Sequence, residues 1–131
     1  MTPEAVAVVG IVASVVLGLS FVVAGASKLA IGPVWPQQAR DLGAPGWAIP
    51  VTPWVELVVG ALLITQVARV PTAVVAVAVL VVFTGLLGLR LSQGRRPPCA
   101  CFGAWSASPI GPSHLLRNAV LIALGIVAIL A

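Results

Sequence analysis

Residues Ala5–Ser27 read AVAVVGIVASVVLGLSFVVAGAS, an unbroken run with no charged side chain. A helix rises 1.5 Å per residue, so about 20 apolar residues cross the roughly 30 Å hydrocarbon core of a bilayer. The run is long enough to do so. Three more apolar stretches follow, at about 51–68, 71–89 and 114–131. Across the 131 residues, 60% are hydrophobic, 8% are charged and the mean hydropathy is +1.17. A soluble domain carries roughly 25% charged residues, so lipid is the expected solvent for most of these side chains. The fold class that follows is all-α: a polytopic membrane protein, one four-transmembrane-helix bundle filling residues 1–131, in contact with membrane lipid.

Ala24-Gly25-Ala26 resembles a signal-peptidase site. A signal peptide, however, opens on a basic segment and has a core of about 7–15 residues. This chain opens with Glu4, and its first core is longer. The first run is therefore expected to remain as a membrane helix. Thr52 and Pro53 are placed to start the second span, Thr52 as a cap. Arg69-Val70 is all that separates spans two and three, which predicts a tight antiparallel hairpin. Ser113 would cap span four. The 29–50 segment is rich in proline and holds Trp35 and Trp47, with Trp54 just beyond. Because Trp favours the membrane interface, this segment reads as a loop lying on the membrane surface. Gly10, Ser14 and Gly18 recur every fourth residue on one face of span one. Small residues at that spacing let helices approach closely in lipid, either within this bundle or against a partner helix.

Four spans put both long loops on one side, with Lys28, Arg40, Arg90, Arg95, Arg96 and Arg117. The other side holds Arg69. Basic loops stay in the cytoplasm, so the count predicts a cytoplasmic 90–113 segment and two external termini, with the arginine-rich, Ala- and Val-rich composition pointing to a bacterial inner membrane. The net charge of +4 is a topology signal of this kind and not a nucleic-acid footprint.

The two cysteines of the chain both fall in Pro97-Pro98-Cys99-Ala100-Cys101-Phe102-Gly103. A Cys-x-Cys disulfide closes a small, strained ring, and strained exposed disulfides exchange readily. Arg95 and Arg96 would stabilise a thiolate there. Cys99 and Cys101 are thus the candidate catalytic redox pair, against the alternative of two unreactive cysteines or a static bridge. A cytoplasmic position conflicts with a disulfide role, because cytosolic thiols are kept reduced. With His114 the pair makes three potential metal ligands, short of the four a structural zinc site needs; no metal or cofactor is expected.

Glu56 lies about five residues into span two, roughly 7 Å deep. A carboxylate at that depth is paired or functional. Lys28, Arg90 and Arg117 are near the same membrane face and complete the set of intramembrane polar candidates. The alternatives are an ion pair that fixes the bundle and a proton acceptor beside the cysteines. Gln66 and Asn118 are placed to hydrogen-bond between helices.

Taken in order, Ala24-Gly25-Ala26-Ser27-Lys28-Leu29, Pro53-Trp54-Val55-Glu56-Leu57 with Gly60, Cys99-Ala100-Cys101-Phe102-Gly103 and Leu116-Arg117-Asn118-Ala119 resemble the MauE family of methylamine-utilisation membrane proteins, within the wider DoxX-like group. The resemblance spans nearly the whole chain. It implies a four-helix membrane bundle linked to maturation of a periplasmic, disulfide-rich dehydrogenase subunit, through disulfide formation or transport. It aligns Cys99 and Cys101 with the family's cysteine pair, and Lys28, Glu56 and Arg117 with its intramembrane polar positions. The Cys-x-x-Cys of quinone-coupled disulfide oxidases of the vitamin K epoxide reductase type is missing. Two functions follow: a thiol–disulfide maturation factor acting on a client protein, or a non-catalytic accessory subunit of a larger membrane complex such as a transporter. A small multidrug-type transporter fits poorly, since its glutamate belongs in the first span.

Overall fold

The computed structural model describes residues 2–94 and 112–131. The described chain is all-α: α1 (Pro3–Ala30), α2 (Val34–Leu42), α3 (Thr52–Thr65), α4 (Arg69–Ser92) and α5 (Pro112–Leu130). Helices α1 and α4 are long and apolar enough to cross a membrane, while Thr52–Thr65 and Leu115–Leu130 are apolar but shorter. Outward faces carry Val, Leu and Ile: Val8, Val12, Val58, Val82 and Leu116 are all more than half exposed. Such a continuous apolar coat is unfavourable in water and is matched by lipid.

Several helix ends have a local cause. Thr2 accepts the backbone N–H of Ala5 at 3.1 Å, and Pro3 and Glu4 follow in the first turn of α1, so orphan donors and the positive helix end are both satisfied. Thr52 does not act as a cap: it is the first residue of α3, and its hydroxyl donates to the Ala48 carbonyl at 2.6 Å. The α3–α4 connection also differs from the two-residue link read from the sequence. It runs Gln66-Val67-Ala68, with Gln66 and Ala68 both left-handed. Gln66 Nε2 donates to the Leu63 carbonyl at 2.6 Å, serving the end of its own helix rather than a neighbour. The expected Ser113 cap lies outside the described side chains.

Antiparallel α1 and α3 form the tightest pair. A Cβ on Gly18 would sit 2.7 Å from the Gly60 carbonyl oxygen, and one on Gly60 would sit 2.6 Å from that of Gly18. One end of the seam is held by Ser14 Oγ, which donates to the Leu63 carbonyl at 2.8 Å. At the other end Gly25 abuts Pro53, where a Cβ would lie 2.6 Å from the carbonyl oxygen. The small-residue stripe of α1 is therefore used inside this bundle, and Gly10 closes against Ala131 and Arg69. Helix α5 packs on α1 and α4, and α3 makes its lesser contact with α4. The ring order is thus α1–α3–α4–α5, and α3 and α4 are not the tight hairpin their short link predicts. Leu17, Phe21, Leu63, Ala76 and Leu121 fill the centre.

Helix α2 was not expected. It occupies the proline-rich 29–50 segment, where Pro36 sits in the first turn and needs no hydrogen-bond donor. Its Trp35, Gln38 and Ala39 face inward, the i, i+3, i+4 stripe of an amphipathic helix, and pack with Ile49 and Leu87 over the end of the bundle. Trp47 and Trp54 are 76% and 60% exposed, as interfacial residues would be, but Trp35 is only 4% exposed. Gly43 ends α2 at φ 100°, and the Arg90 guanidinium fills the space a Cβ would need.

Candidate functional site

The end of the bundle covered by α2 holds the buried Lys28, Gln38 and Glu56. Lys28 lies in the last turn of α1, where a cation is favoured by the helix dipole. Glu56 lies just beyond the first turn of α3. Because α1 and α3 are antiparallel and locked by Gly25 against Pro53, the two side chains meet. Lys28 Nζ contacts Glu56 Oε1 and Oε2, both at 2.8 Å. Lys28 is 1% exposed and Glu56 4%.

Two aromatic rings complete the surroundings of the ammonium. The Trp35 centroid lies 5.2 Å from Lys28 Nζ and the Phe83 centroid 5.4 Å, within cation–π range. Trp35 is fixed by its indole N–H, which donates to the Ile49 carbonyl at 2.9 Å. The lysine is therefore held by α1, neutralised by α3, and faced by rings from α2 and α4. A buried ion pair must be satisfied by several such contacts to offset its desolvation.

Of the other candidates, Arg90 lies against Gly43 and donates from Nη1 to Gln93 Oε1 at 2.9 Å. Arg117 Nη2 donates to Asn118 Oδ1 at 3.5 Å. Asn118 is 1% exposed, and with Glu56 and the half-buried Ser20 it borders a partly open cavity of about 20 Å³. A larger groove of about 290 Å³, lined by Trp47, Val51, Val55, Val82 and Leu86 with Glu56 on its wall, runs between α3 and α4. Cys99 and Cys101, with Arg95 and Arg96, lie outside the described residues, as does any metal role for them with His114. The described residues contain no cluster of three metal-ligating side chains.

Sequence reasoning nominated Lys28 and Glu56 but missed their cage. The general preference of Trp for the interface points Trp35 outward, whereas its i, i+3, i+4 partners Gln38 and Ala39 are the signal that it faces inward. Phe83 carries no such signal, being one apolar residue in an apolar helix.

An all-helical bundle with an apolar exterior and a lysine–glutamate pair buried at one end is the architecture of a compact helical membrane protein. Residues 6–131 match the family model described as methylamine utilisation protein MauE, and the chain belongs to that family. No curated protein and no solved structure matches the chain. Family membership together with α1 and α4 makes this a small membrane protein.

Proposed function

We propose that this protein is a multi-pass protein of a bacterial inner membrane, with α1, α3, α4 and α5 as its crossing helices. In this reading it serves methylamine utilisation as a maturation factor, using Cys99 and Cys101 in thiol–disulfide exchange with a client protein. The observation that carries the reading is the family match over residues 6–131, which includes the cysteine pair. Chain connectivity supports it: the pair falls in the segment that joins the end of α4 to the start of α5, two helices of a bundle locked by Lys28 and Glu56. These two residues are then positioning residues, since both carboxylate oxygens are engaged by the ammonium.

The chemistry is a two-electron exchange. A client thiolate attacks one sulfur of the Cys99–Cys101 disulfide and releases the other as thiolate. A second client thiolate attacks the mixed disulfide, leaving an oxidised client and a reduced, reprotonated pair. A further disulfide-bearing oxidant must then restore the pair. In a Cys101→Ala variant the pair cannot form its own disulfide, but the Cys99 thiolate can attack a client disulfide and displace one client thiolate; with Cys101 gone to resolve it, that mixed disulfide is expected to accumulate on non-reducing gels. No adduct in either single cysteine variant would overturn this role.

Charge placement favours a second reading. Lys28 is neutralised by Glu56, but Arg40, Arg90, Arg95, Arg96 and Arg117 still outnumber Arg69. A cytoplasmic cysteine segment would be reduced, and the chain would then be an accessory subunit of a larger membrane complex. In that case a double Cys99→Ala, Cys101→Ala variant copurifies with its partners unchanged.

A further inference from the structure

We propose that the cavity between Glu56 and Asn118 is a binding site for one neutral water molecule, which bridges α3 and α5 across the diagonal of the bundle. Asn118 supplies the first observation. Its Oδ1 accepts from Arg117, but its Nδ2 has no acceptor among the described residues although the residue is 1% exposed. A buried amide donor left without a partner is unfavourable by an amount comparable to a lost hydrogen bond, so such groups are nearly always satisfied by protein or by ordered water.

Space supplies the second. The cavity of about 20 Å³ exceeds the roughly 10–15 Å³ a single water requires. Its other walls are apolar, from Phe21, Val79, Leu80 and Leu121 among others. Among the described residues three polar side chains border it, Ser20, Glu56 and Asn118, within the two to four partners a buried water uses. Asn118 Nδ2 would donate to the water oxygen. One water hydrogen would go to the Glu56 carboxylate, which has lone pairs beyond the two facing Lys28. The other would go to Ser20 Oγ, whose own proton is given to the Val16 carbonyl at 3.0 Å.

Charge decides the kind of occupant. Glu56 is already neutralised by Lys28 at 2.8 Å, and the Arg117 guanidinium adjoins Asn118. A small cation would add uncompensated positive charge, and an anion would face the carboxylate. A neutral molecule of one heavy atom that both donates and accepts fits all three groups. The consequence is mechanical: α3 and α5 are diagonal in the ring, and the water gives the Lys28–Glu56 pair a polar link to α5, the helix into which the cysteine-bearing segment leads.

Water-edited solid-state NMR of the whole protein in lipid bilayers tests this. Magnetisation from water is expected to reach the Asn118 side-chain amide at short transfer times that leave the backbone amide of buried Leu17 dark. Leu121→Phe, which adds volume at the cavity wall without replacing a polar side chain, should abolish transfer to Asn118; Val79→Leu serves if that variant does not fold. Absence of transfer to Asn118 in the unmodified protein would overturn the proposal. So would transfer that persists when the cavity is filled, because the water would then lie elsewhere.

Discussion

Replacing Lys28 by Met keeps most of the side-chain volume and removes the charge, leaving the Glu56 carboxylate buried with its two 2.8 Å contacts gone. At that separation and an effective dielectric constant of about 20, the lost attraction is about 6 kcal/mol. The cation–π contacts to Trp35 and Phe83 add about 1–2 kcal/mol each. Part of this is offset because Lys28 no longer pays desolvation, and breaking one side of a buried pair destabilises by about 3–5 kcal/mol in practice. Glu56→Leu should lose a similar amount by stranding the ammonium. Additivity would put the double variant about 6–10 kcal/mol below the parent. The geometry predicts otherwise: Lys28→Met with Glu56→Leu removes both buried charges, and the double variant should be more stable than either single one. Reversible unfolding in mixed micelles, followed by helical circular dichroism, completes the double-mutant cycle. Single variants as stable as the parent, or a double variant that loses the sum of the two, would refute the assignment of Lys28 and Glu56 as a mutually neutralising buried pair.

Gly60→Val should destabilise by about 1–3 kcal/mol, because a Cβ at Gly60 already falls 2.6 Å from the Gly18 carbonyl oxygen; the same unfolding measurement reads it. Trp35→Phe keeps a ring beside Lys28 but leaves the Ile49 carbonyl without its indole donor, and is expected to lose about 1–3 kcal/mol. Gly43→Ala places a side chain at φ 100° against Arg90 and should lose at least about 1–2 kcal/mol, seen as a lowered unfolding midpoint. Single cysteines introduced at Arg69 and Gln93 in a variant lacking Cys99 and Cys101 report orientation: an impermeant maleimide should label position 69 from outside intact cells and leave position 93 unlabelled, and the reverse pattern would invert the charge-based topology.

The helical class was readable because uninterrupted apolar runs leave no other way to satisfy the backbone in lipid. The Lys28–Glu56 pair was readable in part, since opposite charges near one membrane face must be neutralised. The choice of Lys28 over Arg90 or Arg117 depended on the α1–α3 seam. That seam is set by Gly18, Gly25 and Gly60, whose partners are far apart in sequence. The short 66–68 turn pointed to α3 packing on α4, but close backbone approach at the glycines made α1 the stronger neighbour. Helix α2 is hidden by Pro33, Pro36 and Pro45, which punctuate the segment without preventing about two and a half amphipathic turns from covering the ion pair. Asn118 was legible as a residue that needs a partner; the sequence does not contain the cavity beside it.

The most direct test of the proposed function is the redox state of Cys99 and Cys101 in native membranes, with thiols blocked at lysis and the protein resolved on gels with and without reductant. Thiol–disulfide exchange predicts a mixture of dithiol and disulfide forms that shifts toward dithiol when client thiols accumulate. A pair that stays fully reduced under every growth condition would contradict the exchange role and leave the accessory-subunit reading.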